Sequence, residues 1–163
     1  MISKEMEKEI NDQINKELFS AYYYMSMAAF AANENLDGTA NFFQVQAKEE
    51  VGHAMKFYSY VNEQGGRVVL EAIEKPKTDF TDVEELFQLA LEHEKYVTKR
   101  IHDLVDLAIK ENDHATKTFL DWYVTEQVEE EASMDSILRR VQMAGKKGQA
   151  LLMIDSQLAG RGK

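Results

Sequence analysis

The sequence predicts an all-α fold: a four-helix bundle with a long crossover between the second and third helices and a short fifth helix at the C-terminus. Two observations carry this prediction. Apolar residues recur at alternating steps of three and four over four long stretches, which is helical periodicity. The 163 residues include eight glycines and a single proline, Pro76 near the middle of the chain, so few positions interrupt long helices.

Composition narrows the class of protein. The chain has no cysteine, which excludes disulfides and cysteine-ligated zinc or iron–sulfur sites. Its formal net charge of −10 disfavours binding to nucleic acid or to an anionic membrane, and is compatible with cation binding or simply with solubility. No apolar run reaches the roughly 18 residues of a membrane helix, and the first residues lack the apolar core of a signal peptide. We therefore expect a cytoplasmic protein with one domain over residues 1–163.

The first two helices are predicted over residues 3–33 and 39–64. The stripe of the first helix is Ile10, Ile14, Glu17, Ala21, Tyr24 and Ala28. The stripe of the second is Phe43, Gln46, Glu50, His53, Phe57 and Tyr60. Residues 35–38 form a turn between the helices. Gly65 and Gly66 end the second helix, because glycine readily takes the left-handed conformation at a helix C-terminus.

Residues 67–80 show no helical period and are expected to form the crossover. About 15 extended residues reach roughly 50 Å at ~3.3 Å each, whereas a helix of about 28 residues is ~42 Å long. The crossover can therefore run the length of the bundle. This would leave the second and third helices parallel, with Glu50 and Glu94 at one level.

The remaining helices are predicted over residues 82–111, 114–144 and 149–158. Thr81 precedes Glu84 by three residues, a capping box that marks the start of the third helix. Asn112 and Asp113 supply a turn and a cap before the fourth. The third stripe is Phe87, Ala90, Glu94, Val97, Ile101, Leu104 and Ala108, and the fourth is Leu120, Tyr123, Gln127, Glu130, Met134, Ile137, Val141 and Ala144. The fifth helix is too short to be stable alone and must pack against another element.

Each long helix breaks its apolar stripe with residue types that can bind metal ions. These are Glu17, Glu50 with His53, Glu94, and Gln127 with Glu130. Taken singly, a glutamate on a stripe usually lies at its edge with its carboxylate in water, and a lone histidine is usually a hydrogen-bonded core residue. Four such breaks at one level instead indicate a metal site, because buried carboxylates need a compensating charge. Four carboxylates balance two divalent ions, and oxygen donors with one imidazole suit iron or manganese and would accept zinc.

Glutamates from two helices with Glu-x-x-His pairs from two others form the known di-metal site of ferritin-like bundles. This chain has one such pair, Glu50-x-x-His53, and has Gln127-x-x-Glu130 in place of the second. Over essentially its whole length the sequence resembles the bacterial non-haem ferritins. The residues that carry the resemblance are Glu17, Tyr24, Glu49-Glu50-x-x-His53, Glu94, Trp122 and Glu126-Gln127-x-Glu129-Glu130.

The resemblance implies a ferroxidase centre with two iron positions. Glu17, Glu50 and His53 would hold one iron, with Glu50 as the bridge. Glu50, Glu94 and Glu130 would hold the other.

The resemblance also assigns residues around this pair. Gln127 would lie near the second iron. Glu49, Glu126 and Glu129, together with Glu130, resemble the third iron site of the bacterial branch. From spacing alone, these three residues are explained as well by a solvated acidic face.

Aromatic and histidine residues complete the expected site. The resemblance suggests that Tyr24 hydrogen-bonds to the metal site and can donate an electron, and that Trp122 can donate one too. From spacing alone, core packing explains both residues. His93, His102 and His114 lie off the stripes and are expected on the surface.

Related families fit less well. Bacterioferritins need a second Glu-x-x-His pair and a haem-ligating methionine just after the bridging glutamate, where this chain has Val51 and Gly52, so no haem is expected. Rubrerythrins need cysteine, which is absent. DNA-binding mini-ferritins often add a basic tail, whereas this N-terminus is short and mixed in charge.

The expected function is iron storage with ferroxidase activity, in which iron(II) is oxidised by dioxygen or peroxide and stored as a hydrated ferric oxide mineral. The resemblance implies a homo-oligomeric shell of twenty-four identical subunits. Its interfaces would include the fifth helix, through Leu151, Leu152, Ile154 and Leu158, and the crossover, through Val68, Val69 and Leu70. Two other functions remain open: a di-metal oxidase, oxygenase or reductase subunit, and a non-catalytic four-helix binding protein.

Overall fold

Five α-helices make up most of the described part of the chain, residues 1–146 and 148–162 of a computed structural model. They are α1 (Lys4–Asn33), α2 (Asp37–Glu63), α3 (Val83–Lys110), α4 (His114–Ala144) and α5 (Gln149–Leu158). The described residues contain no strand, which confirms the all-α prediction. The predicted bounds agree within one residue, except that α2 begins two residues early. No helix in this part of the chain combines the length and apolar character that crossing a membrane would require.

The single-domain prediction over residues 1–163 includes Lys147 and Lys163, which lie outside the described residues.

The side chain of the N-cap residue caps α1, α3 and α4, and one predicted cap is wrong by a residue. The N-cap of α3 is Asp82, whose carboxylate accepts from the Glu85 N–H at 3.0 Å. The Glu85 carboxylate reaches back to the Thr81 N–H at 2.6 Å. The N-cap is therefore Asp82 rather than Thr81, and the glutamate that bonds back to the Thr81 N–H is Glu85 rather than Glu84. Aspartate caps a helix at least as well as threonine. Asp113 caps α4 as predicted, accepting from the Thr116 N–H at 3.0 Å.

The crossover between α2 and α3 runs alongside α1, whose side chains bind its backbone. The Asn11 side-chain amide donates to the carbonyl oxygen of Arg67 at 2.9 Å. One turn further on, the Asn15 amide donates to the carbonyl oxygen of Ala72 at 3.1 Å. These bonds satisfy crossover carbonyl groups that have no helical partner.

Two apolar clusters form the core. One includes Tyr24, Met27, Phe43, Ala47, Phe87, Ala90, Met134 and Ile137. The other includes Ile10, Ile14, Ala54, Phe57, Val97, Ile101, Leu120 and Tyr123. Along the chain, α2 and α3 pass from the first cluster to the second, whereas α1 and α4 pass the other way. The second and third helices are therefore parallel, as predicted.

Helix α5 is attached to the start of α2. The Asp155 carboxylate accepts from the backbone N–H groups of Gly38 at 3.1 Å and Thr39 at 2.7 Å, so α5 caps α2. A Cβ on Gly38 would lie 1.7 Å from the Asp155 carbonyl oxygen. This close approach explains why glycine occupies position 38.

Three of the four α5 residues predicted at subunit interfaces pack within their own chain instead. Leu151, Ile154 and Leu158 are buried within their own chain, as part of the first apolar cluster. Only Leu152, which is 60% exposed, points away from this core among the four residues predicted. The reason is that the α5 register places three of them over the end of the bundle to which Asp155 anchors the helix.

Candidate metal centre

A layer of polar side chains separates the two apolar clusters in the middle of the bundle. Four of them, which we call the inner carboxylates, are almost fully buried: Glu17 (1% exposed), Glu50 (2%), Glu94 (1%) and Glu130 (6%). His53 and Gln127 are buried in the same layer. The structure thus brings together six predicted site residues, contributed by all four long helices.

Gln46 links two of the inner carboxylates. Its side-chain nitrogen lies 3.0 Å from Glu50 Oε1 and 2.8 Å from Glu130 Oε2, and donates to both. Since α2 carries Glu50 and α4 carries Glu130, this amide fixes the relative position of carboxylates from two helices.

The other two inner carboxylates also receive hydrogen bonds from neutral groups. Gln13 Nε2 donates to Glu17 Oε1 at 2.9 Å. Gln127 Nε2 donates to Glu94 Oε2 at 3.0 Å, and the Tyr24 hydroxyl donates to Glu94 Oε1. The hydrogen bond predicted between Tyr24 and the site is therefore present, and it occupies the second oxygen of Glu94.

His53 lies between two sets of carboxylates. Its Nδ1 is 3.3 Å from Glu50 Oε2, and its Nε2 is 3.8 Å from Glu126 Oε1. Two groups in the described part of the chain have ligand atoms within 4.8 Å of one another: Glu17, Glu50 and His53, and His53, Glu126 and Glu130. The first group has the composition predicted for one iron position.

Burial makes the charged form of the inner carboxylates unfavourable. It raises the pKa of Glu17 to about 8, with the charge of Glu50 adding to the effect. It raises the pKa of Glu130 to about 7, with a contribution from Glu94. Burial also raises the pKa of Glu50 and of Glu94. Without a cation these groups therefore retain protons near neutral pH, and a bound metal ion would displace them.

Two buried oxygens have no hydrogen-bond partner among the described residues: Glu17 Oε2 and Gln46 Oε1. Unsatisfied buried acceptors are rare, because each loses its bonds to water without replacement. A cation beside Glu17 would satisfy its free oxygen. A donor set of carboxylate oxygens with one imidazole fits iron, manganese or zinc.

Three further carboxylates, the outer carboxylates, lie beside this layer: Glu49, Glu126 and Glu129. Glu49 and Glu129 are exposed, and Glu126 is half-buried. The predicted flanking position is thus observed for Glu126, which faces His53. Glu49 instead forms an ion pair with Arg161, at 2.5 Å between Nη2 and Oε2.

Trp122 lies against the imidazole of the site. Its ring centroid is 5.4 Å from that of His53 in an edge-to-face arrangement. The ammonium group of Lys56, which lies on α2 like His53, is 3.4 Å from the centroid of the indole ring. Trp122 is 38% exposed, so it connects the buried layer with the surface.

His93 is not the surface residue that its position off the stripe predicted. Its Nε2 lies 2.7 Å from the Ser20 hydroxyl, and four aromatic rings surround it. Burial lowers the pKa of His93 to about 4, so it is neutral at physiological pH. The contact between α1 and α3 is wider than the stripe alone indicates. His102 and His114 are exposed, as predicted.

Three supporting residues escaped assignment from sequence. Gln13 and Gln46 each lie four residues before a buried glutamate, one helical turn away. A buried glutamine one turn before a candidate ligand is thus a signal that could have revealed them. Thr98, whose hydroxyl lies 3.3 Å from Gln127 Nε2, carries no such signal.

Comparisons of the sequence and the structure with known proteins identify the family of this chain. The ferritin-like domain family matches residues 7–144. A bacterial non-heme ferritin of Staphylococcus aureus is 40% identical over 161 residues, covering 99% of this chain and 97% of the relative. A relative of the same name from Staphylococcus epidermidis is also 40% identical over 161 residues, with the same coverage.

A solved structure agrees with these sequence matches. An open pore ferritin from the hyperthermophilic archaeon Archaeoglobus fulgidus matches with a TM-score of 0.98 and 46% identity, covering 99% of both chains. The family match extends over most of the chain, and the relatives align over nearly its whole length. The chain therefore belongs to the ferritin family.

Proposed function

We propose that this protein is an iron-storage ferritin whose inner carboxylates and His53 form a ferroxidase centre. The observation that carries the proposal is the buried polar layer itself. Four carboxylates with raised pKa values surround one imidazole inside an otherwise apolar bundle. Like charges in such a place are unfavourable unless cations join them.

Iron(II) is the substrate at two adjacent positions. Glu17, Glu50 and His53 hold one iron, and Glu50, Glu94 and Glu130 hold the other. The 3.3 Å separation of His53 Nδ1 and Glu50 Oε2 supports the first assignment. Glu50 lies next to ligands of both positions, which suits a bridge.

Electron counting explains why the irons are paired. Each iron(II) loses one electron when it becomes iron(III). Two neighbouring irons therefore supply the two electrons that reduce dioxygen to peroxide, or peroxide to water. The carboxylates hold the irons close enough to share one oxidant, and the ferric product is stored as a hydrated oxide mineral.

The second iron is expected to bind less tightly and to pass onward. Both oxygens of Glu94 already accept hydrogen bonds, from Tyr24 and Gln127. These bonds orient the carboxylate, and each of its oxygens keeps a second lone pair with which to ligate iron. The weaker binding follows from Gln127, which supplies a neutral amide where a symmetrical site would supply a second charged or imidazole ligand. These features support a transit site rather than a permanent di-iron cofactor, and we expect no haem.

The outer carboxylates extend the site. Glu49, Glu126 and Glu129, with Glu130, would hold a third iron. The 3.8 Å separation of Glu126 Oε1 from His53 Nε2 supports this placement, because it puts an outer carboxylate directly beside the inner layer.

Storage requires an enclosed space that one subunit cannot provide. We therefore propose a homo-oligomeric shell of twenty-four subunits in the cytoplasm, each chain being one domain. Exposed apolar side chains support subunit contacts: Val69 on the crossover is 45% exposed, Leu70 is 62% and Leu152 is 60%.

The test adds iron(II) aerobically and measures three quantities: oxygen uptake, native size of the particle, and iron retained per particle. We expect rapid oxygen uptake and a large particle that keeps its iron. Glu50→Ala should lose most of the oxygen uptake. Glu63→Ala is the matched control, since Glu63 is an exposed residue at the end of the same helix.

Three results would contradict the proposal. A native mass near one subunit would exclude storage in a shell. Equal oxygen uptake by the parent and Glu50→Ala would exclude the inner site. A di-iron centre that does not exchange with added labelled iron would favour a resident cofactor.

A further inference from the structure

The chain beyond α5 is fixed against α2 close to the outer carboxylates. The Asn41 side-chain amide donates to the carbonyl oxygens of Leu158 at 3.3 Å and Arg161 at 3.1 Å. A Cβ at Gly162 would lie 3.0 Å from a Val45 methyl group, so the backbone here packs tightly on α2. This attachment sets the position from which the Arg161 side chain extends.

The Arg161 guanidinium occupies a defined place beside Glu49. Its Nη2 lies 2.5 Å from Glu49 Oε2, and its central carbon lies 4.2 Å from the centroid of the Phe42 ring. The arginine side chain is only 23% exposed. Its Nη1 is buried without a hydrogen-bond partner in the described chain. The arginine is thus held by one charged contact and one aromatic face.

We propose that Arg161 is the resident counter-cation of Glu49, and that a metal ion binding at the outer carboxylates must displace it. The inference rests on the third iron position of the proposed function. It assigns to Arg161 the role of a positioning residue that weakens this position relative to the inner pair.

The charge and position of Arg161 indicate that a metal ion at Glu49 would displace the arginine rather than bind beside it. An arginine is always charged, so it cannot make room for a cation by losing a proton. A divalent ion bound by Glu49 and Glu129 would lie close to the guanidinium and be repelled by it.

The unsatisfied Nη1 atom makes the release of Arg161 favourable in one respect. A buried guanidinium nitrogen without a partner has lost its bonds to water. Release restores those bonds, whereas it breaks only one ion pair and one aromatic contact. A divalent ion, which several carboxylates can ligate together, can therefore compete with the arginine for Glu49.

Calorimetric titration with Zn²⁺, which is not oxidised, tests the inference on the assembled full chain. The parent should show two tight binding events per subunit and a weaker third. Arg161→Gln should tighten the third event by about three- to tenfold, the range expected for a partly exposed ion pair plus relief of repulsion. Arg161→Lys retains the charge and should stay near the parent, and Glu49→Gln should lose the third event.

Arg139→Gln is the matched control for net charge. Arg139 is an exposed residue paired with Asp135 on α4, and it lies nine positions beyond Glu130. That is about 14 Å along the helix at ~1.5 Å per residue, beyond the Debye length of about 8–10 Å in 0.1–0.15 M salt. Its substitution should leave the third event unchanged. An equal third event in Arg161→Gln and Arg139→Gln, or no third event in any variant, would overturn the inference.

One further result would contradict the proposed function and leave the role of Arg161 intact. If the parent lacked the two tight events but Arg161→Gln still gained binding that Glu49→Gln abolished, the ferroxidase pair would be wrong and the role of Arg161 would stand.

A second measurement follows the arginine itself. Phenylglyoxal labels exposed guanidinium groups, and mass spectrometry locates the label. In the parent, labelling of Arg161 should rise when a third equivalent of Zn²⁺ is added, whereas labelling of Arg139 should not change. Labelling of Arg161 that stays constant or falls would show that the metal does not displace it.

Discussion

The inner and outer carboxylates of this ferritin differ in what surrounds them. The inner carboxylates receive hydrogen bonds from neutral amides and a phenol, namely Gln13, Gln46, Gln127 and Tyr24. Of the outer carboxylates, Glu49 instead forms an ion pair with the charged side chain of Arg161. Neutral donors orient a carboxylate without cancelling its charge, whereas an arginine cancels it.

Under the proposed function, this difference predicts two kinds of metal affinity within one acidic cluster. An inner carboxylate is already held in position by its hydrogen bonds. Burial also makes its charged form unfavourable without a cation. Both features favour tight binding of a metal ion. An outer carboxylate is solvated or paired and gains less. The inner layer is therefore suited to chemistry on a bound pair, and the outer one to weaker exchange.

The largest expected effect is the difference in the rate of iron(II) oxidation between a variant that neutralises an inner carboxylate and one that neutralises an outer carboxylate. Glu17→Gln removes a proposed ligand of the first iron but retains the side-chain shape. We expect iron(II) oxidation to slow by more than ~100-fold, beyond the roughly 10–100-fold typical of losing a supporting residue. Glu129→Gln should slow the first turnover at most slightly. Stopped-flow absorbance of ferric formation measures both, and similar rates in the two variants would remove the distinction between the sets.

The support given by neutral donors can be tested at Gln46. Gln46→Met keeps the approximate volume but removes the donor shared by Glu50 and Glu130. Metal affinity at the pair should fall by about 10–100-fold. Gln44→Met is the control, since Gln44 is exposed on the same helix. Calorimetry with Zn²⁺ gives the affinities, and an unchanged value for Gln46→Met would mean that the carboxylates need no such positioning.

Most of the fold could be predicted because its signals are local. Helical stripes, the two glycines after α2 and the cap at Asp113 all depend on residues close in sequence. The inner carboxylates could be predicted for the same reason, since each interrupts a stripe. Each glutamate taken alone indicated only a residue at the edge of its apolar stripe. The metal site was predicted because four such glutamates lie at one level of the bundle.

The features that could not be predicted depend on contacts between distant segments. Arg161 and Glu49 are 112 positions apart, and nothing near either residue indicates their pairing. Asp155 caps a helix that begins 118 positions earlier. His93 is half-buried because α1 and α3 meet beyond their stripes. Such contacts follow from the assembled bundle rather than from periodicity.

The raised pKa of Glu17 predicts how stability depends on pH in the metal-free protein. Its folded-state pKa of about 8 lies above the ordinary value of 4.5. A group with a raised pKa favours the folded state fully only below its ordinary pKa, and this contribution is lost as pH rises through about 8. Between about pH 6 and pH 8, Glu17 alone should lower the free energy of unfolding by roughly 2 kcal/mol per subunit.

Urea unfolding of the metal-free protein at the two pH values measures this change. Glu17→Gln should reduce the pH dependence by about this amount, because glutamine has no proton to lose. Glu63→Gln, at an exposed position, should leave the pH dependence of the free energy of unfolding as in the parent. Stability that rises from pH 6 to pH 8 in the parent would show that the inner carboxylates are already compensated without metal.

The smallest expected effect concerns the phenol at the inner layer. Tyr24 is buried and stacks on Phe43 with ring centroids 5.8 Å apart, so Tyr24→Phe should preserve the packing. It removes only the hydrogen bond to Glu94. Burial raises the pKa of Glu94 and this bond opposes the rise, so its loss should make Glu94 harder to ionise. The second metal should then bind about three- to tenfold more weakly, the range for the net contribution of one ordinary hydrogen bond.

Trp122→Phe gives the matched comparison, because Trp122 contacts His53 rather than Glu94. Its substitution should leave the second Zn²⁺ affinity unchanged. If both variants weakened the second metal equally, Tyr24 would act through general packing of the layer and not through its hydroxyl. If Tyr24→Phe alone weakened it, the hydroxyl orients Glu94, and neutral donors position each of the four inner carboxylates.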